Sequence, residues 1–419
     1  MTTDGKQSMA GNPLEYIHSL ERFGMKPGLE RVRLLCRELS NPEQKLRFIH
    51  VAGTNGKGST CTMLAQICAA AGMKTGLYTS PYVMEFRERM QVNGTMIPED
   101  DLCRLTEQLR RASESFLEPV TEFEFVTALA FAWFYEQKCD IVVLEVGLGG
   151  RLDATNVIPP PLCSVITKIA YDHMDVLGNT LTKIAGEKCG IIKPRSPVVT
   201  TCEQQPEALA VIKTTASERG CTLTVPTIEQ CEVISSNITG SEVMLDGLAV
   251  HVPLLGEHMC RNALTAVVAA RRIGLPDEAI QAGIATTRIP ARMELLRVEP
   301  LILLDGGHNP DCARALSNVL QMHLPGEKLC AVCGMMADKD VTAYLRILQP
   351  HIGHLITCVP QNSRALSAHD LAVHARMVGY ENITPATSVE QALQAVEYPL
   401  LICGSFYLAG EIRGFLINL

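Results

Sequence analysis

The 419-residue sequence has no apolar run of the roughly 18 residues needed to cross a bilayer. Its longest candidate, Phe125 to Tyr135, stops at Glu136. The first residues, Met1 to Asn12, lack the apolar core of a secretory signal and read as a loose tail. Positive charge is also short: 37 Lys and Arg against 45 Asp and Glu leave a net charge of −8. A general nucleic-acid binder needs a basic face to displace counterions, so that class is disfavoured, as is adhesion to anionic membranes. Repeats and low-complexity tracts are missing too. Sixteen cysteines are present, but they are scattered through apolar segments, as Cys139, Cys163 and Cys403 show. That placement predicts free buried thiols in a reducing cytoplasm rather than a disulfide framework.

What is present is alternation. Leu46–Ala52, Thr75–Thr79, Ile141–Val146 and Ser164–Ile169 read as buried strands. Between them, Met63, Leu64, Ile67, Cys68 and Ala71 share one helical face, and Phe123–Tyr135 reads as a mostly apolar helix. This βαβ order predicts an α/β fold with a mainly parallel sheet flanked by helices. Residues 200–255 are rich in Thr, Ser and Val and read as a subsidiary antiparallel sheet with little helix. Helices follow over 258–286. Arg288–Arg297, with Pro290, reads as a hinge. Beyond it the alternation restarts: strands at 301–305, 329–334, 352–359 and 400–404, helices at 310–322, 340–348, 367–378, 388–396 and 406–417. The expected organisation is a larger unit over 1–290 and a smaller Rossmann-like α/β unit over 297–419.

Between the first strand and its helix stands Gly53-Thr54-Asn55-Gly56-Lys57-Gly58-Ser59-Thr60. Glycines let the backbone aim N–H groups at a phosphate, the helix start adds partial positive charge, and Lys57 adds a full one. The usual phosphate loop has glycine six residues before the lysine and Ser or Thr after it. Here Val51 and Gly58 occupy those places. The strand before and the helix after still favour phosphate binding over a plain turn.

A bound nucleotide brings magnesium, which takes hard oxygen ligands. In an open sheet, ligands gather at the carboxyl ends of strands. Ser80, Glu145 and His173 stand at three such ends. An unpaired carboxylate at the end of a buried strand is costly, so Glu145 in particular asks for a cation.

Six ordered motifs then converge: Gly53 to Ser59, Thr79-Ser80-Pro81, Leu144 to Asn156, Asp172-His173, Glu187-Lys188-Cys189-Gly190-Ile191 and Leu304-Asp305-Gly306-Gly307-His308-Asn309-Pro310. From about residue 14 to its end the chain resembles folylpolyglutamate synthases, including the bifunctional dihydrofolate synthases, of the Mur ligase superfamily. The resemblance implies an ATP- and Mg2+-dependent ligase. A substrate carboxylate is phosphorylated, and the amine of L-glutamate attacks the acyl phosphate. The acceptors it implies are folates and also dihydropteroate.

Carried over by position, the family's metal ligands are Ser80, Glu145 and His173. The family lysine that carries a carbamate is Lys188, which would hold a second magnesium; a Lys188–Glu187 surface pair is the alternative reading. Lys57, Lys188, His173 and Glu145 are the implied catalytic set. Nucleotide contacts are Gly53, Thr54, Asn55, Gly56, Lys57, Gly58, Ser59, Asn262, Arg292 and Asp305. Pterin contacts are Thr121, Glu122, Phe123 and Glu124, with Leu152, Asp153 and Ala154. Phe123 is placed to stack on a ring, although an apolar helix start also explains it. Arg292, at the hinge, would meet the phosphates when the two units close. His308 and Asn309 match the family and are candidates to hold the acyl phosphate or the interface between units. Many relatives carry Ala where Cys189 and Gly307 stand, Gly where Ala291 stands, and Gln where Met259 stands.

Two other readings compete. A Mur-type ligase on a cell-wall precursor expects a substrate-binding domain ahead of the phosphate loop, and 52 residues do not hold one. A phosphate-loop kinase or a non-catalytic nucleotide binder leaves the combination of Ser80, Glu145 and His173 unexplained. Cys330 and Cys333 have zinc or redox spacing, but on a strand they point to opposite sides. The partners expected are small molecules alone, bound by a cytoplasmic monomer.

Overall fold

The computed structural model describes residues 12–24 and 28–417. The tail reading for Met1–Asn12 lies almost wholly outside them. Three sheets account for the strands. The first has eight: β1 (Phe48–Ala52), β2 (Thr75–Tyr78), β3 (Met90–Val92), β4 (Thr95–Met96), β5 (Ile141–Glu145), β6 (Cys163–Ile166), β7 (Val198–Thr200) and β8 (Leu223–Thr224). Their order is β4-β3-β2-β5-β1-β6-β7-β8, and all pairings from β2 to β8 are parallel. The second is an antiparallel meander of β9 (Cys231–Asn237), β10 (Gly240–Leu245) and β11 (Leu248–Val252). The third has six strands: β12 (Glu294–Arg297), β13 (Ile302–Asp305), β14 (Leu329–Cys333), β15 (Ile352–Thr357), β16 (Ile383–Pro385) and β17 (Leu400–Cys403). Its order is β12-β13-β17-β14-β15-β16, with β12 antiparallel to the rest.

Strands buried on both faces explain the continuous apolar runs. Alternation then assigns the faces. Phe48, Tyr78, Val142 and Leu144 face a core shared with the helix Glu122–Glu136. Ile49, Val51, Leu77, Ile141 and Val143 face the opposite core, packed by the helices Lys57–Ala70 and Glu257–Arg272 and by the inner face of the meander. In the third sheet Cys330 and Cys333 enter different cores, so their thiols do lie on opposite sides. Every cysteine is free and most are buried.

The expectation for residues 200–255 needs correcting. They contain a 13-residue helix, Pro206–Glu218. Its threonines and serine suggested strand, but Pro206 opens it and Ala208, Ile212 and Ala216 form a buried stripe at helical spacing. The helix Glu99–Ser113 also carried no sequence prediction. It buries Leu102, Leu105 and Leu109, with acids in its first turn and arginines in its last. The segment read as a hinge is half strand: Glu294–Arg297 pairs with β13.

Candidate active site

The loops carrying Lys57, Ser80 and His173 leave the carboxyl ends of β1, β2 and β6, and Glu145 ends β5, where chain order reverses around the central β1. The loop after β1 is squeezed from two sides. A Cβ on Gly53 would lie 1.8 Å from Thr167 Oγ1, and one on Gly56, at φ +84°, would lie 2.5 Å from Asn262 Oδ1. Any side chain at either position would push the loop off its seat. The backbone N–H groups of Thr54 and Asn55 donate to the carbonyl of Lys168 at 2.8 and 3.1 Å. Lys57 folds back on its own loop, donating to Thr54 O at 3.2 Å.

Glu145 ends β5 with 2% of its surface exposed. Its Oε2 accepts from the Ser80 backbone N–H at 3.0 Å. Burial pushes its carboxyl up, while Lys57 and the Ser80 N–H pull it back. A dehydrated carboxylate with a backbone donor and a nearby ammonium suits a divalent cation, so the donor set of Ser80 and Glu145 fits magnesium. His173 adopts a left-handed conformation, φ +48°. Although part of the ring is exposed, partial desolvation, with Lys339, Lys57 and Lys188 nearby, holds it below the usual histidine range, which favours the neutral form a cation takes.

Lys188 is not a surface residue paired with Glu187. It is 4% exposed, and Nζ donates to Gly53 O at 2.7 Å. Glu187 instead meets Arg151 at 2.9 Å. Burial, aided by Lys57, lowers the Lys188 amine to about 7. An amine that is substantially neutral near physiological pH is the form that takes up CO2, so the residue fits a carbamate.

These groups line one cavity of about 440 Å³. It joins the phosphate loop from Gly53 to Ser59, Ser80, Glu145, His173 and Lys188 to Asn262, Arg292 and Asp305. The guanidinium of Arg292 stands 4.1 Å over the ring of Phe406. Asp305 accepts from the N–H groups of Met293 and Gly307, both at 3.1 Å. His308 also lines the cavity, held by burial near 4 and therefore neutral. A second cavity of about 460 Å³ meets the first at Gly58, Ser80, Pro81, Glu145, Arg292 and Phe406.

The residues assigned to pterin lie outside the linings of both cavities. Thr121 and Glu124 cap the helix Glu122–Glu136 reciprocally, and Glu124 also takes Arg31 at 2.9 Å. Phe123 packs over Gly147, where a Cβ would lie 2.4 Å from the ring, and so borders the first cavity at one remove. Asp153 caps the turn Ala154–Val157 and accepts from Leu148 N at 2.8 Å; Ala154 is buried and Leu152 half-buried. Glu122 bonds Arg89 at 2.9 Å and lies 3.7 Å from His18. With Glu21 this forms a cluster of donor atoms within 4.8 Å that the sequence reading missed. Arg89 already balances Glu122, so charge pairing accounts for the cluster. Lys168 and Asp311 also line the first cavity unforeseen, and Asp172, singled out above only as part of a motif, lines it too. Lys168 fell inside the strand expected over Ser164–Ile169; β6 ends at Ile166, which puts Lys168 past the strand end, beside the phosphate loop.

Two family models match: the Mur ligase middle domain over residues 51–270, and the Mur ligase glutamate ligase domain over 291–402. The dihydrofolate synthase/folylpolyglutamate synthase of Bacillus subtilis is 34% identical over 421 residues, covering 95% of this chain and 97% of its own. The folylpolyglutamate synthase of Lacticaseibacillus casei is 35% identical, covering 96% and 97%. Among solved structures, the Mycobacterium tuberculosis folylpolyglutamate synthase with ADP and AMPPCP superimposes with a TM-score of 0.89 at 29% identity, covering 97% of this chain and 98% of that one. Escherichia coli FolC in complex with DHPP and ADP gives 0.86 at 30%, covering 98% of each.

Proposed function

The chain belongs to the Mur ligase family, among its dihydrofolate and folylpolyglutamate synthases, and from that premise we propose how its cleft works. The protein is an ATP-dependent ligase that adds L-glutamate to folates; the cell-wall alternative is not favoured by relatives matched along their whole length. One observation carries the residue assignments. A single cavity gathers a phosphate loop, a buried carboxylate, a lowered-pKa lysine and an arginine from the far side of the cleft.

A carboxylate is inert toward an amine until phosphorylation gives it a leaving group. That transfer needs alignment and charge neutralisation more than covalent help. In this reading the loop Gly53–Ser59 cradles the triphosphate and Lys57 swings from Thr54 O to the transferring phosphoryl group. Asn262 and Asp305 hold the nucleoside end, and Arg292 meets the phosphates from across the cleft. Ser80, Glu145 and His173 would hold Mg2+, and Lys188, once carbamylated, would hold a second ion. Bound there, magnesium would neutralise phosphate charge as it shifts between oxygens. The neutral ring of His308 borders the site where the amine attacks. The pterin end of a folate or dihydropteroate is assigned to Thr121, Glu122, Phe123 and Glu124, with Leu152, Asp153 and Ala154, which stand behind the cavity walls and would have to open toward the cleft to meet it. The working units are 1–290 and 297–419, the second borrowing Glu294–Arg297 as an edge strand. We place the enzyme in the cytoplasm as a monomer with small-molecule partners.

The test is phosphate release from ATP with tetrahydrofolate or dihydropteroate, with and without glutamate. Amide formation matched by glutamate-dependent phosphate release is expected. Phosphate appearing on the acceptor as a stable product would establish a kinase instead.

A further inference from the structure

Among the contacts by which the third sheet's lobe meets the first sheet's lobe, three fall within three residues of a group assigned to phosphate or metal. On the phosphate loop, Asn55, two residues before Lys57, donates to Asp311 Oδ2 at 2.8 Å and accepts from Asn309 Nδ2 at 3.1 Å. Asp311 also takes Lys168 Nζ at 3.0 Å, and the carbonyl of Lys168 is the acceptor for the loop's own backbone. On the second loop, Asp172, directly before His173, meets Lys339 Nζ at 3.2 Å. The third contact lies three residues beyond Ser80. The Val83 carbonyl there approaches helix Phe406–Ile417 so closely that a Cβ on Gly410 would lie 1.8 Å from its oxygen.

We propose that Gly410, Asp311 and Lys339 are positioning residues. By docking the far lobe onto the three ligand-bearing loops, they hold the acyl phosphate away from water until glutamate attacks. This rests on the ligase reading above. In the productive step the amine nitrogen bonds to the acyl carbon, the carbon–oxygen bond to phosphate breaks, phosphate leaves with the electron pair, and the amine proton passes to solvent. Water can make the same attack and regenerate the carboxylate, consuming ATP without an amide. A loop displaced by even one contact opens that route. None of the three residues needs to touch a reacting atom.

Gly410→Ala is the sharpest test, because alanine is the better helix former and the substitution favours its own helix. Phosphate released per amide formed is one in a fully coupled enzyme. With saturating ATP, Mg2+, tetrahydrofolate and L-glutamate, the ratio should rise to about threefold or more in Gly410→Ala, and also in Asp311→Ala and Lys339→Met, as water gains access. A ratio held at one in all three variants overturns the proposal, whether or not kcat falls. Hydrogen exchange of the free protein gives a second readout that needs no substrate. Residues 80–85 should exchange faster in Gly410→Ala, and 53–56 with them, while β14 in the lobe core stays protected. Unchanged exchange in those segments also overturns it. Should the wild type form no amide with any folate, the ligase reading fails, and exchange alone then decides whether these contacts hold the loops.

Discussion

The two lobes are built alike and used differently. Both are mainly parallel sheets whose strand ends face the same cleft. At the ends of the first sheet, charged groups are left with capacity to spare. Glu145 is buried with its carboxyl strained upward, Lys188 is buried with its amine pressed down to about 7, and Lys57 rests on a carbonyl of its own loop. At the ends of the third sheet, burial raises the Asp305 carboxyl as well, but both of its oxygens accept from backbone N–H groups, and Arg292 lies against an aromatic face. Burying unpaired charge is expensive, and a fold carries it only where a ligand repays it. The first lobe is therefore where the proposed function puts the grip on phosphate and cation. The second lobe supplies fixed walls and contacts that set position. Burial without local pairing, rather than charge itself, separates a binding surface from a framing one.

The largest effect expected from breaking that asymmetry is at Lys57. Lys57→Ala removes the one full positive charge on the phosphate loop, and kcat should fall by about a thousandfold, in line with losing a preorganised charge at a transferring group. Retention of near-normal turnover would remove the loop from the phosphate site. Glu145→Ala comes next. The magnesium concentration for half-maximal activity should rise about tenfold or more as the buried carboxylate ligand is lost. A magnesium titration that overlays the wild type would take Glu145 out of the metal site. Asp305→Ala, by contrast, breaks hydrogen bonds internal to its own lobe, so its magnesium titration should stay in place while stability falls.

How far the sequence foretold this follows the same divide. Strand ends in the first lobe were legible because a run such as Ile141-Val142-Val143-Leu144 terminating in Glu145 combines two incompatible preferences, and only a site resolves them. The alternation beyond residue 297 was equally plain. Helix Pro206–Glu218 was not, because its polar face carries threonine and serine, which favour strand and turn, and only tertiary packing of Ala208, Ile212 and Ala216 decides the matter. Lys188 could not be told from a surface lysine, since neither its burial nor the reach of its Nζ to Gly53, 135 residues away, leaves a local mark. The contacts of Asp311, Lys339 and Gly410 are of that kind as well: pairings across the cleft have no periodicity to betray them.

Lys188 supplies the next prediction, through pH. Its folded pKa, about 7, lies below the ordinary lysine value of 10.5. Between those values the unfolded chain binds the proton that the folded chain has released. Stability from this group therefore rises as pH increases from about 7 toward 10, and below 7 the buried charge is a standing penalty. Urea midpoints of the wild type should climb over that range relative to Lys188→Met, in which the slope flattens and stability near pH 6 exceeds that of the wild type. Parallel pH profiles for the two proteins would mean that the amine stays charged when folded, and the case for a carbamate would go with it.

The smallest effect lies on the framing side, at the approach to Arg292. Ala291 and Met293 flank that arginine in left-handed conformations, φ +53° and +47°. An L-residue pays roughly 1–2 kcal/mol for this geometry and glycine nearly nothing. The conformation persists because Ala291 is fully buried and locked at both ends, its N–H donating to Glu294 Oε2 at 2.9 Å and its carbonyl accepting from Gly306 N at 2.7 Å. Glu294 is itself pinned by Arg413 at 2.8 Å. Ala291→Gly keeps both hydrogen bonds and removes the steric cost, but loses one buried methyl and frees the unfolded chain. The terms nearly offset, leaving a gain of up to about 1 kcal/mol in the urea unfolding of the second lobe. A destabilisation of similar size would show that the alanine methyl packs more firmly than the backbone strains. In either case the KM for ATP should stay within about twofold, because the hydrogen bonds that aim Arg292 are unchanged.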